Sequence, residues 1–209
     1  MESRFEEVIA TRDRLRELNK LPSHRVSNKS IDHVDDICRR FVAASPFVLL
    51  ASRGLDGRLD VSPKGDPPGF VKVLDNKTLA IPDRLGNNRL DTFENLLVHP
   101  EVGLLFIIPG HGDTLRISGT GHIVRDSALQ SRFVMNGKAP HLVLVVDVEE
   151  VFIHCPKCMV RSRLWTPEQW PDRSEVATLA ETMVAHGALA ETLPELQALI
   201  DNDSATRLY

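Results

Sequence analysis

Two rhythms of apolar residues divide the chain. From Glu2 to Leu18, Phe5, Val8, Ile9, Leu15 and Leu18 recur near a helical period, and Pro22-Ser23 ends that run. A second helix is expected after Ser30, a candidate N-cap, with Asp32 and Asp35 near its positive end. Its buried face would hold Ile31, Val34, Ile37, Cys38 and Phe41. Beyond Ser45-Pro46 the period shortens. Phe47–Ala51, Leu59–Ser62, Phe70–Leu74, Thr78–Ile81, Val102–Ile108, Thr114–Val124 and His141–His154 read as strands. Asp56-Gly57 marks a hairpin, Lys64 to Gly69 a loop, and Gly119 and Gly121 bulge or bend positions. One helix, Arg89–Val98, interrupts the strands with Leu90, Phe93, Leu96 and Leu97 inward, and Asp126–Val134 reads as a short one. Ser174–His186 is expected to be helical, with Val176, Leu179, Met183 and Val184 inward.

No strand–helix–strand unit recurs, which argues against a parallel doubly wound sheet. The expected fold is mainly β, of the α+β class: an antiparallel barrel of six or seven strands with peripheral helices at both ends. The expected organisation is an N-terminal helical extension over 1–45, a barrel over 46–165 and an acidic helical tail over 166–209 packed on the barrel.

Composition narrows the function. The net charge of −4 argues against a dedicated nucleic-acid binder. From Thr166 onward eight acids face two bases, so the rest of the chain carries about +2, which suits a small anionic ligand. No apolar run approaches the roughly 20 residues of a spanning helix, and the N-terminus lacks the apolar core of a signal peptide. A cytoplasmic protein without a membrane partner is expected. Three cysteines, an odd number, do not form a disulfide framework.

Several segments could carry chemistry. In Ile81-Pro82-Asp83-Arg84-Leu85-Gly86-Asn87-Asn88-Arg89 a loop leaves a strand, carries two arginines and two amides, and opens a helix. Free N–H groups at a helix start and guanidinium forks suit a phosphate; a capped helix with surface arginines is the alternative. Ser62 and Lys64 offer a hydroxyl and an ammonium at a strand end, and are otherwise an exposed loop. Arg116 alternates with apolar neighbours on its strand and faces either a cleft or solvent. Cys155-Pro156-Lys157-Cys158 has the spacing of half a zinc site or of a redox pair, but no second pair completes the zinc site and the thioredoxin context is missing. No metal is expected. Lys157, Arg161 and Trp165 beside these cysteines could contact a ligand. No nucleophile–base constellation is found among the eight histidines, so catalytic residues stay unassigned.

Taken in order, these segments resemble the pyridoxamine 5′-phosphate oxidase-like family of FMN-binding split barrels, closest to a bacterial branch known only as FMN-dependent enzymes. The resemblance rests on Val61-Ser62-Pro63-Lys64-Gly65-Asp66 through Val71, Ile81-Pro82-Asp83-Arg84 with Gly86-Asn87-Asn88-Arg89, Asn95 to Pro100, Val102 to Phe106, Thr114 to Gly119, and His154 to Trp165. It covers roughly residues 40 to 165. It implies a six-stranded split barrel, a homodimer and FMN at the subunit interface. By position, Ser62, Lys64, Arg84, Asn87, Asn88 and Arg89 would hold the flavin phosphate. Arg116, Lys157, Arg161 and Trp165 would contact the cofactor, those after the last barrel strand often from the other subunit. A cation such as Lys157 or Arg161 would hold the charge of the reduced ring.

True pyridoxamine phosphate oxidases carry an Arg-x-Val-Leu-Leu-Lys-type strand and an Arg-Leu-x-x-Arg-type C-terminal segment. Here Ser62-Pro63-Lys64-Gly65-Asp66 replaces the first, and an acidic tail stands in place of the second. The resemblance therefore implies an oxidoreductase passing electrons between FMN and a nicotinamide or small organic substrate, not that oxidase. A non-catalytic FMN carrier or sensor, a split barrel holding haem (through His154 or His141) or a deazaflavin, and a zinc-stapled interaction domain are the alternatives.

Overall fold

The computed structural model describes residues 4–209. Its centre is one antiparallel sheet of seven strands: β1 (Phe47–Arg53), β2 (Leu59–Gly65), β3 (Lys72–Val73), β4 (Thr78–Pro82), β5 (Glu101–Ile107), β6 (Thr114–Val124) and β7 (Val143–His154). Their order is β2-β1-β5-β6-β7-β4-β3, and the sheet does not close. The mainly antiparallel, split-barrel expectation holds, with a seventh strand in place of six. β3 is only two residues long, shorter than the expected Phe70–Leu74, and the Phe70 N–H closes a turn on the Pro67 carbonyl, 3.2 Å away. β2 runs on through Lys64 and Gly65, which pair with Val48 and Phe47, so the expected loop begins two residues later.

One face of the sheet makes the core. Val48 and Leu50, Leu79 and Ile81, Leu104 and Phe106, Leu115 and Ile117, and Val146 and Val151 are buried there. Helix α1 (Arg12–Leu18) and the short α2 (His24–Ser27) precede α3 (Asp36–Ala44), which covers this face with Cys38, Phe41 and Val42. Helix α4 (Asp91–Leu96) packs against β1 and β6 with Phe93 and Leu96, and its buried Asn95 amide donates to the Ser52 hydroxyl at 2.9 Å. Gly119 lies at a bulge, as expected, with the extra residue, Glu149, on β7. A side chain there would collide with the Asp147 carbonyl, and the β6/β7 register shifts between Ser118 and Gly119.

Several helix expectations are corrected. Glu2 and Ser3 lie outside the described residues, and the first helix begins only after Thr11, whose hydroxyl accepts from the Arg14 amide. Phe5, Val8, Ile9, Leu15 and Leu18 are exposed. Ser30 does not cap the next helix, because Ile31 exchanges two backbone bonds with Val151; Asp35 caps it instead. Ile37, Leu90 and Leu97 are exposed rather than inward. Helix α5 (Ser127–Ser131) is the expected short helix, followed by the buried Phe133.

After β7 the chain forms α6 (Lys157–Ser162), α7 (Leu179–Gly187) and α8 (Leu193–Thr206). α7 starts at a Thr178/Glu181 capping box, which leaves Val176 outside it. Val176, Leu179 and Met183 are exposed, against expectation, while Ala180 is buried. No helix among the described residues is long and apolar enough to cross a membrane.

Candidate functional site

Side chains on β2 alternate strictly. Asp60, Ser62 and Lys64 point to the core side of this edge strand, while Leu59, Val61 and Pro63 point away. Opposite the first set runs the segment from Asp83 to Phe93, which links β4 to α4. Between them lies a cavity of about 740 Å³, closed further by Lys138, Pro140, His141 and Tyr209. Ser62, Lys64, Arg84, Asn87, Asn88 and Arg89 all line it. The sequence thus brings together six expected ligand residues from two segments twenty positions apart.

Electrostatics within the cavity are mixed. Arg84 Nε donates to Asp66 Oδ2 at 2.6 Å and Nη1 to the Phe133 carbonyl at 2.9 Å, and Nη2 makes no hydrogen bond to any described residue. The Asp66 side chain is only 1% exposed and does not line the cavity, so it fixes Arg84 from behind the wall. Arg89 Nε donates to Asp91 Oδ2 at 2.8 Å on the surface. Asp91 and Glu94 occupy the first turn of α4, which has six residues, so the positive helix end already faces carboxylates. The anion-binding capacity lies in the loop and in β2 rather than in the helix start. Asp83 is half-buried, and burial pushes its carboxyl up, opposed by the charges of Lys64 and His141.

The other four expected residues are not in the cavity. Arg116 is exposed, with its guanidinium 5.2 Å from the centre of the Phe152 ring. Lys157 and Arg161 are exposed on α6, and Trp165 donates from Nε1 to the His111 carbonyl at 2.8 Å. His154 packs at 4.6 Å from Phe152; burial, then the charges of Lys29 and Arg116, hold its imidazole below the usual value. Among the described residues no group of three or more His, Cys, Asp and Glu side chains is placed to hold a metal.

Arg116 occupies the outer face of the sheet. Register places Pro63, Leu49, Leu105, Arg116 and Phe152 side by side across five strands, with Val61, Ala51, Gly103, Ser118 and Glu150 in the adjacent row. On this face Leu59 is 81% and Val61 58% exposed, both on the edge strand.

The model of the pyridoxamine 5′-phosphate oxidase family matches residues 34–155, more than half of the chain. The chain belongs to this family. No curated protein sequence matches it. Among solved structures, HupZ of Group A Streptococcus is 15% identical with a TM-score of 0.47, covering 57% of this chain and 93% of its own. A Clostridium acetobutylicum protein related to general stress protein 26 is 16% identical (TM-score 0.42; 56% and 84% covered). HutZ, the haem storage protein from Vibrio cholerae, is 16% identical (TM-score 0.39; 58% and 94% covered). At this level of identity these likenesses carry no inference about the site.

Sequence reasoning missed Asp66 as the partner of Arg84, and also Lys138 and Tyr209, and it named His141 only as an alternative haem ligand. Asp66 and Asp83 sat inside segments already singled out. Lys138 and the end of the tail carried no ligand signature.

Proposed function

We propose that this protein is a homodimeric FMN-binding oxidoreductase that passes electrons between FMN and a nicotinamide or small organic substrate. The observation that carries the reading is the convergence of Ser62, Lys64, Arg84, Asn87, Asn88 and Arg89 on one cavity of about 740 Å³. Small-molecule sites run from roughly 300 to 1,000 Å³, so a flavin nucleotide is of suitable size.

The donor set fits a phosphate. Lys64 supplies a point charge, and Ser62, Asn87 and Asn88 supply neutral donors. Arg84 offers its Nη2 group from a guanidinium already fixed on its other side. Arg89 would exchange its surface carboxylate for the ligand. Charge-assisted bonds of this type are the strong ones. FMN, when bound, supplies the redox chemistry, and these side chains anchor and orient it.

The outer face of the sheet supports the dimer. An edge strand that exposes Leu59 and Val61 next to half-buried Leu49 and Leu105 is a surface that proteins normally cover. A second copy docked there would approach Arg116 and the segment carrying Lys157, Arg161 and Trp165, which the single chain keeps away from its own cavity.

The test is the visible absorption spectrum of the purified protein, with the released chromophore identified by mass spectrometry and the mass in solution measured by light scattering. A yellow dimer releasing one FMN per subunit, bleached by NADH or NADPH, is the expected result. A haem spectrum, or a colourless protein that fails to take up added FMN, would sink the reading.

A further inference from the structure

The tail reaches the cavity through one side chain. Tyr209 follows α8, and three contacts seat it on the cavity wall. Its hydroxyl donates to Asp66 Oδ1 at 2.6 Å. Its main-chain oxygen accepts from Lys138 Nζ at 2.7 Å. Its ring lies 5.4 Å from the Arg84 guanidinium carbon, within cation–π range. The Asp66 carboxylate is therefore bonded on both oxygens, to Arg84 through Oδ2 and to Tyr209 through Oδ1.

That arrangement has a consequence for an anion. Without the phenol, Asp66 Oδ1 would be a bare carboxylate oxygen beside the cations of the cavity, repelling a phosphate and free to swing Arg84 with it. With the phenol in place, the carboxylate is capped, its side chain is 1% exposed, and Arg84 is held by its Nε edge and one face. The cavity keeps its volume with Tyr209 forming part of the lining, so the ring completes the wall instead of filling the site.

We propose that Tyr209 is a positioning residue of the phosphate site, capping Asp66 and fixing Arg84, so that the C-terminal tail and ligand binding are coupled. The ligand class rests on the FMN reading above; the seating of Tyr209 does not. By linkage, a ligand that needs the seated phenol also holds the tail in place.

Tyr209 is the only tyrosine in the chain, so a protein grown on 3-fluorotyrosine gives a single fluorine resonance. In the ligand-free protein that resonance should lie away from its position in the urea-unfolded chain, and Asp66→Asn should move it toward that position. A resonance already at the unfolded position overturns the proposal, whatever FMN does. Binding is then read by titrating FMN, and in parallel inorganic phosphate, into the wild type and Tyr209→Phe. The variant keeps the ring and loses only the hydroxyl. It should bind both ligands about tenfold more weakly, the scale of one hydrogen bond to a charged group, while staying fully folded at the titration temperature, with a thermal midpoint lowered by the loss of the same bond. Tyr209→Ala should be weaker still. Equal or tighter binding by either variant overturns the proposal. Binding of phosphate but not FMN sinks the FMN reading and leaves the role of Tyr209 decided on phosphate. Binding of neither ligand by the wild type overturns both.

Discussion

Arg84 and Asp66 form a pair at 2.6 Å in which the carboxylate is almost wholly withdrawn from solvent and the guanidinium is 18% exposed. The two arginines of the loop therefore differ in kind. Arg84→Ala strands a buried carboxylate, a change that costs about 3–5 kcal/mol when nothing compensates; the Tyr209 hydroxyl remains, so about 3 kcal/mol is expected. Arg89, 72% exposed and paired with Asp91 at the surface, should be dispensable for stability, within about 0.5 kcal/mol. Both substitutions should weaken FMN binding by about 1.5–3 kcal/mol. Urea unfolding of the ligand-free variants separates the two effects. Flavin affinity unchanged in Arg89→Ala and in a Lys64→Met variant would move the phosphate elsewhere.

The exposed leucine and valine of β2 give a second expectation. Leu59→Glu or Val61→Glu puts a charge on the face proposed to pair with another copy, at positions too exposed for the single chain to depend on them. Each variant should sediment as a monomer, stay folded and lose most of its bound flavin. Variants that remain dimers with full flavin content would place the subunit contact elsewhere.

The cysteines divide two to one. Cys38 is 5% exposed, and burial, with the Asp35 bond and charge, pushes its thiol up to about 12. Cys155 and Cys158 are exposed. A thiol reagent should titrate two groups at once in the native protein and the third only on unfolding. Cys155→Ser with Cys158→Ser should keep the fold and the flavin, and a chelator should leave the thermal midpoint unmoved. Loss of folding in the double variant, together with loss of a bound metal, would restore the zinc reading.

What could be read in the sequence follows from what local patterns encode. The limits of β6, the Gly119 bulge and the Asp56-Gly57 hairpin were legible because alternation and glycine placement are local consequences of strand geometry. The meeting of six polar residues at one cavity was legible because two segments each carried polar groups at a strand end. Helix faces were less so: Leu90 sits in the left-handed region at φ 56° and Leu97 beyond the helix, so neither turns toward the sheet as a continuous period would have it. Ser30 looked like a cap because nothing local shows that Ile31 is bridged to Val151. The contact between Tyr209 and Asp66 spans 143 positions, and no periodicity reports a meeting of that range.

Asp83 offers the last test, because its sign is unusual for a carboxylate beside cations. Burial raises it more than Lys64 and His141 lower it, so its folded value lies above the ordinary 3.8. A group raised on folding contributes stability that is fully present below its unfolded pKa and is lost as pH rises through the folded one. At neutral pH the ionised Asp83 therefore opposes folding and also places a negative charge in a cavity read as a phosphate site. Asp83→Asn should raise the thermal midpoint at pH 7, with the gain fading as the pH falls to about 4. The same variant should bind FMN several-fold more tightly, measured by flavin fluorescence. A variant less stable than the wild type at neutral pH would mean that attraction to Lys64 outweighs burial. Weaker FMN binding would mean instead that the carboxylate serves the ligand directly, as an acceptor for one of its N–H or O–H groups.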